Sequence, residues 1–289
     1  AIRDSLVVRL TREDFDEVSA HSSAMWNAVT ATLARRLAAE TRKSVALKNG
    51  AVPKPRPRTI AIVRAGGAPI PEAFLKLFEE TARRSSRALF LSSKSITDHI
   101  PSDTIDSLDA TRIFNDLEGQ YETLLFLADD TLTRWSEKAI RQADEVLLVG
   151  TQGDSPVGTS VPANSVEAFL LSLERKPRCS LVIVHNRAGV VQGTRHWLQL
   201  RAPEMHHHVS LGSTADIERL WRFIKGEALG FVACGGGAYC AAHIGIYKAF
   251  GEKGIDFDCV GGTSGGAAMA AAFAQNIDAS EIDARVHRM

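Results

Sequence analysis

Apolar positions along this chain follow two periods that take turns. From Thr59 onward, short runs of aliphatic and β-branched residues alternate with stretches whose apolar positions recur three and four apart. The runs at 59–63, 88–91, 123–128, 145–149, 180–184 and 207–211 predict strands. The stretches at 71–83, 132–143 and 166–174 predict helices. Regular strand–helix alternation predicts an α/β fold, with mostly parallel sheets flanked by helices. This middle part reads as a Rossmann-like domain over 59–224.

A second strand–helix series starts at Leu229. The run 229–233 feeds Cys234-Gly235-Gly236-Gly237-Ala238, and a helix follows through Ala242, Ile246, Ala249 and Phe250. The run 257–260 feeds Gly261-Gly262-Thr263-Ser264-Gly265-Gly266, and a helix of small residues covers 267–274. Another helix opens at 280–286, where Ser280 and Asp283 have the spacing of a capping box. The absence of an initial Met and the stop inside that helix suggest a piece of a longer protein. This last unit is taken as 225–289.

Ahead of both units lies a different pattern. Residues 5–10 read as a short strand. Thr11 caps a helix whose apolar positions are Phe15, Val18, Met25, Trp26, Val29, Leu33 and Leu37. One strand and one helix enclose no core, so 1–45 reads as the tail of another domain. The segment 46–58 contains Pro53-Lys54-Pro55-Arg56-Pro57-Arg58 and predicts an extended, solvated linker; a basic docking segment is the less favoured reading.

Charge narrows the function classes. The 34 basic residues balance 34 acidic ones, so no net basic field exists to replace phosphate counterions, and a nucleic-acid partner is not expected. No apolar run approaches the ~20 residues of a membrane span, and Ala1-Ile2-Arg3-Asp4 opens no signal-peptide core. Cys179, Cys234, Cys240 and Cys259 lack CxxC spacing, which argues against disulfides and structural zinc and for a cytoplasmic setting. His206-His207-His208 would alternate faces on a strand, so a metal is not expected there. Trp135, Trp197 and Trp221 read as core or interface anchors rather than lipid anchors. The turn after the first strand, Arg64-Ala65-Gly66-Gly67-Ala68-Pro69, is neither GxGxxG nor a Walker A loop, so no nucleotide cofactor is expected.

The candidate chemistry sits in the last unit. Gly262-Thr263-Ser264-Gly265-Gly266 is a GxSxG sequence between a strand and a helix, the context of a nucleophile elbow. There the serine hydroxyl projects from a strained turn, glycines two residues either side avoid collision with it, and the helix N-terminus supplies partial positive charge. The Gly235-Gly236-Gly237 run lies at the preceding strand-to-helix junction and can aim backbone N–H groups at an anion. Acyl transfer needs such donors for the tetrahedral oxyanion, each worth about 3 kcal/mol. A dinucleotide loop is the competing reading, and Cys240 at the third required glycine disfavours it.

The stretch from Ala233 to Ala249, followed by Gly261–Ala267, resembles the N-terminal part of a patatin-like phospholipase domain. Residues 56–63 and 135–150 are similar to the region that precedes this domain in neuropathy target esterase and its bacterial relatives, where it follows cyclic-nucleotide-binding-like domains; 5–37 is similar to the tail of one. The resemblance implies a serine esterase acting on lysophospholipids or phospholipids at a peripheral membrane surface, without cofactor or metal. It implies Ser264 as nucleophile, Gly235, Gly236 and Gly237 as oxyanion hole, and Gly262 and Gly266 as the elbow glycines. Its base is an aspartate of an Asp-Gly motif, expected beyond this chain; Asp256, Asp258, Asp278 and Asp283 do not match that motif. The 289-residue chain alone is therefore expected to be weak or inactive. Cys234, Tyr239 and Cys240 depart from the family's glycine, arginine and glycine, which keeps open a non-catalytic, scaffolding alternative with a degenerate domain.

Overall fold

The computed structural model describes residues 31, 57–98, 100, 104–152, 161–186, 191–275 and 277–286. Apart from Ala31, the expected N-terminal remnant lies outside the described residues, as does the linker before residue 57.

The six apolar runs form one parallel sheet: β1 Thr59–Ala65, β2 Ala88–Leu91, β3 Thr123–Leu127, β4 Glu145–Thr151, β5 Arg178–His185 and β6 Met205–Ser210, in the order β2-β3-β1-β4-β5-β6. Pairing sets Thr59 beside Leu124, Ala61 beside Val146 and Val182 beside both Val149 and His207. Central strands of such a sheet are covered on both sides, which explains their nearly unbroken apolar runs. Alternate residues enter separate cores. Ala61, Val63, Phe126, Leu148 and Ile183 face one, and Ile60, Ile62, Leu125, Val149 and Val182 face the other.

Helices α2 Leu108–Gln120, α3 Arg134–Gln142, α4 Ser165–Ser172 and the short α5 Thr194–Leu198 cover the first face through Phe114, Trp135, Val166 and Trp197. Helices α1 Glu72–Ser85 and α6 Thr214–Lys225 cover the second, where Phe78 meets Trp221 edge-on at 5.6 Å. Of the two settings expected for Trp135, Trp197 and Trp221, all three take the core. Several of these helices start at side-chain caps, among them α3 at Thr133, α6 at Ser213, and α4 at Asn164 with Glu167 in a full capping box.

The second series builds a two-stranded parallel sheet, β7 Gly230–Ala233 and β8 Cys259–Gly262, with α7 Ala242–Glu252, α8 Gly265–Ala274 and α9 Ala279–Val286. Its core holds Ile244, Phe273 and Ile282, with Phe231 and Tyr247 against them. Three boundaries differ from expectation. β8 begins at Cys259, because Asp258 pairs with Arg222 and Gly261 and Gly262 complete the ladder. α8 starts at Gly265, directly behind the serine. α9 is held at its start by Asp278, whose carboxylate takes the Ser280 N–H at 2.8 Å, so the Ser280 capping box does not form. Among the described residues, no helix is long and apolar enough to cross a membrane.

Candidate active site

Ser264 stands where β8 gives way to α8. Its φ of 53° and ψ of −131° make it the one non-glycine residue with positive φ among the described residues. Non-glycine residues hold such angles only when their surroundings over-determine them. The surroundings here are the backbones of two strands. Thr263 N–H donates to Ala233 O at 3.1 Å, which fastens the elbow to the end of β7. Ser264 is exposed, and its side chain makes no capping bond to α8, so the hydroxyl is left toward solvent at the helix N-terminus.

The flanking glycines are required for a reason other than the one expected. A Cβ on Gly262 would lie 2.4 Å from Gly266 O, and a Cβ on Gly266 would lie 2.4 Å from both Ala233 O and Cys234 O. The atoms nearest to each such Cβ are backbone atoms rather than the serine side chain. Gly235 is tight but less so: its Cβ would reach Ser264 Cβ at 3.1 Å and Thr263 O at 3.2 Å. The glycine run and the elbow are therefore in van der Waals contact, brought together by the four registered pairs of β7 and β8.

Within that run the three glycines differ. Gly235 N–H donates to Thr263 Oγ1 at 3.1 Å, so this amide is already engaged. Gly236 and Gly237 are exposed and lead into a 3-10 turn, Gly237–Ala241, with Gly237 at φ 57°. Thr263 was not singled out by the sequence; its place inside GxSxG was the available signal. His243 Nε2 sits 3.0 Å from Cys234 O, pinning the carbonyl that packs over Gly266, and is not a partner of the serine.

The departures at 239 and 240 have distinct settings. Tyr239 is 88% exposed. Cys240 is buried, and its thiol donates to Cys234 O at 3.5 Å beneath Gly265. Its φ is negative, so the side chain brings none of the backbone strain that replacing a glycine can cause.

The turn after β1 is occupied from within. Gly66 N–H donates to Glu167 Oε2 at 2.9 Å, and Glu167 is paired with Arg201 at 2.6 Å, both side chains 2% exposed. Arg201 also donates to the carbonyls of Val161 and Pro162. An internal carboxylate thus holds the amide that a phosphate loop would offer to a nucleotide.

Comparison with known proteins divides the chain at the same place as the two sheets. The neuropathy target esterase family P-loop like domain matches residues 57–228, and patatin-like phospholipase matches 231–288. Patatin-like phospholipase domain-containing protein 7 of Rattus norvegicus is 32% identical over 68% of this chain and 16% of its own length. Lysophospholipase NTE1 of Mycosarcoma maydis is 27% identical over 96% of this chain and 18% of its own. Lysophospholipase NTE1 of Yarrowia lipolytica is 25% identical over 100% of this chain and 24% of its own. The chain spans less than a quarter of the length of these relatives. No solved structure matches it. With the first of the two domains matched along its full sheet and covering more than half of the residues, the chain belongs to the neuropathy target esterase family.

Proposed function

We propose that the whole protein is a serine esterase that hydrolyses acyl esters of lysophospholipids or phospholipids, with Ser264 as the nucleophile. The observation that carries this is the strained, exposed Ser264 at a helix N-terminus, in contact with the glycine run. In this reading the Ser264 hydroxyl attacks the ester carbonyl, and the oxygen turns to an oxyanion. The N–H groups of Gly236 and Gly237 stabilise it, while Gly235 acts through Thr263 as a spacer that holds the loop. The names of the relatives, two of them lysophospholipases, support the substrate class.

The proton of Ser264 needs a base, and an aspartate outside this chain completes a Ser–Asp dyad. Asp258 and Asp278 are engaged elsewhere, with Arg222 and Ser280. The protein acts in the cytoplasm at a membrane surface, and its region 1–45 belongs to a cyclic-nucleotide-binding-like domain.

The test is hydrolysis of a lysophospholipid by the 289-residue chain and by the full-length protein, each with and without Ser264→Ala. The full-length protein should exceed the short chain by about 10²–10⁴-fold, the worth of general-base assistance, and Ser264→Ala should abolish its activity. A short chain that turns over equally fast through Ser264 defeats the dyad assignment. A folded, inactive full-length protein favours the scaffolding alternative.

A further inference from the structure

The oxyanion loop and the nucleophile sit at the carboxyl ends of two strands that share only four registered pairs, Gly230 with Cys259 through Ala233 with Gly262. Among the described residues these two strands pair only with each other. What fixes one strand against the other at the far end is a carboxylate. Asp258, immediately before β8, accepts the Leu229 N–H at 2.9 Å through Oδ2, and its own N–H donates to Leu229 O at 2.8 Å. Leu229 immediately precedes β7. One residue thereby grips the first turn of both strands.

That carboxylate is in turn gripped by the neighbouring domain. Arg222, on the last turn of α6, donates to Asp258 from Nε at 3.0 Å to each oxygen and from Nη2 at 2.5 Å. The Asp258 side chain is only 3% exposed, while Arg222 keeps its outer edge in water at 41%. Burial by itself would raise the Asp258 carboxyl, but the hydrogen bonds from Arg222 and from the Leu229 amide outweigh it and hold the group below its ordinary value. It is therefore a fixed anion at neutral pH. α6 is itself locked to the six-stranded sheet by Ile217, Leu220, Trp221 and Ile224.

From these contacts we propose that Arg222 and Asp258 are positioning residues for the esterase reaction, and that the middle domain serves as the rigid reference that sets the register of β7 against β8. The inference rests on the esterase reading above. The clasp and the elbow lie about 13 Å apart along four residues of strand. A slip or tilt of β8 relative to β7 transmits directly to the contact of Gly235 with Ser264, where there is no spare room. Displacement of a catalytic group by about 1 Å costs roughly 10²-fold in rate. Neither residue touches the substrate; they act through the strands.

The test uses the full-length protein and the variants Asp258→Asn, Arg222→Met and Arg222→Lys. Active sites are counted by titration with a fluorophosphonate, and lysophospholipid hydrolysis is measured per titrated site. Hydrogen exchange of the β7 and β8 amides is followed alongside. Asp258→Asn and Arg222→Met should lower kcat per site by roughly 10–100-fold with KM nearly unchanged, and should speed exchange across β7 and β8. Arg222→Lys restores charge without the two-pronged donor, so it should recover only part of the loss. Rates per titrated site within twofold of the parent, with activity lost only as the titratable fraction falls, would overturn the proposal. If the parent is neither labelled nor active, it is the esterase reading that fails. The clasp is then judged by exchange alone: unchanged protection of β7 and β8 in Asp258→Asn refutes it, and faster exchange confined to those strands sustains it.

Discussion

At the scale of single residues, the elbow is a problem of backbone clearance. Gly262 and Gly266 face each other across the turn, and Gly266 also lies against the last carbonyls of β7, with no room for a methyl group. Gly266→Ala is expected to push α8 away from β7, costing about 1–3 kcal/mol of stability and at least 10²-fold in esterase rate; denaturant melts and hydrolysis on the full-length protein check both. Cys240→Gly, which installs the family residue, should bring no gain in rate. The thiol fills space beneath Gly265 in an ordinary backbone conformation, and its removal leaves a small void. A third residue carries a pH signature. His207 is buried against Phe223 at 5.0 Å, and burial first, then Arg219 and the adjoining imidazoles, pushes its pKa down to about 4. The folded state therefore takes up its proton later than the unfolded chain does. The stability is whole above about pH 6.5 and is lost as the pH falls toward the folded value. For a shift of this size the loss is on the order of 3 kcal/mol. Thermal midpoints should drop by several degrees between pH 6.5 and 4, and His207→Gln should flatten that dependence; an equal slope in the variant would refute the assignment.

At the scale of elements, the α4 helix is tied to the sheet by charge. Glu167 closes the capping box of α4, holds the Gly66 amide and pairs with Arg201, all out of contact with water. Removing one partner strands the other, so Glu167→Ala should cost about 3–5 kcal/mol, whereas replacing both with apolar residues of similar size should cost far less. Calorimetric titration of the 289-residue chain with ATP should show no binding, because the carboxylate already takes the amide after β1. Much of this architecture was legible beforehand. The six strands announce themselves as β-branched and aliphatic runs, since buried parallel strands admit little else. The elbow was legible because close backbone approach leaves Gly262 and Gly266 no substitute; in the glycine run, Gly235 is tightly packed and Gly237 takes a positive φ. Other features left no local mark. β8 starts two residues late because Asp258 answers to Arg222, 36 positions away. Asp278 rather than Ser280 caps α9, and both residue types suit that role equally well. The engagement of Gly235 N–H by Thr263 depends on the register of two strands, which no single segment encodes.

At the scale of the whole molecule, the two sheets differ in self-sufficiency. Residues 57–228 hold six strands and two cores, one on each face, with Phe, Trp and aliphatic side chains wholly buried. The described residues of 229–286 hold two strands and a small core built on Ile244, Phe273 and Ile282, and they leave Val232 78% exposed on β7. Burial yields about 25 cal/mol per Å² of apolar surface, and ordering each residue costs more than 1 kcal/mol, so a unit with so small a core stands near zero net stability. The Arg222–Asp258 clasp links the weak unit to the strong one at the foot of β7 and β8. A piece spanning 57–228 should therefore unfold in a single cooperative thermal transition. A piece spanning 229–289 should show no such transition and little hydrogen-exchange protection. In the 289-residue chain, Asp258→Asn should loosen 229–286 while leaving the main transition within a few degrees of the parent. Cooperative melting of 229–289 on its own, at the midpoint it has in the intact chain, would show that the second unit needs no support from the first. The middle domain would then lose its part in holding β8.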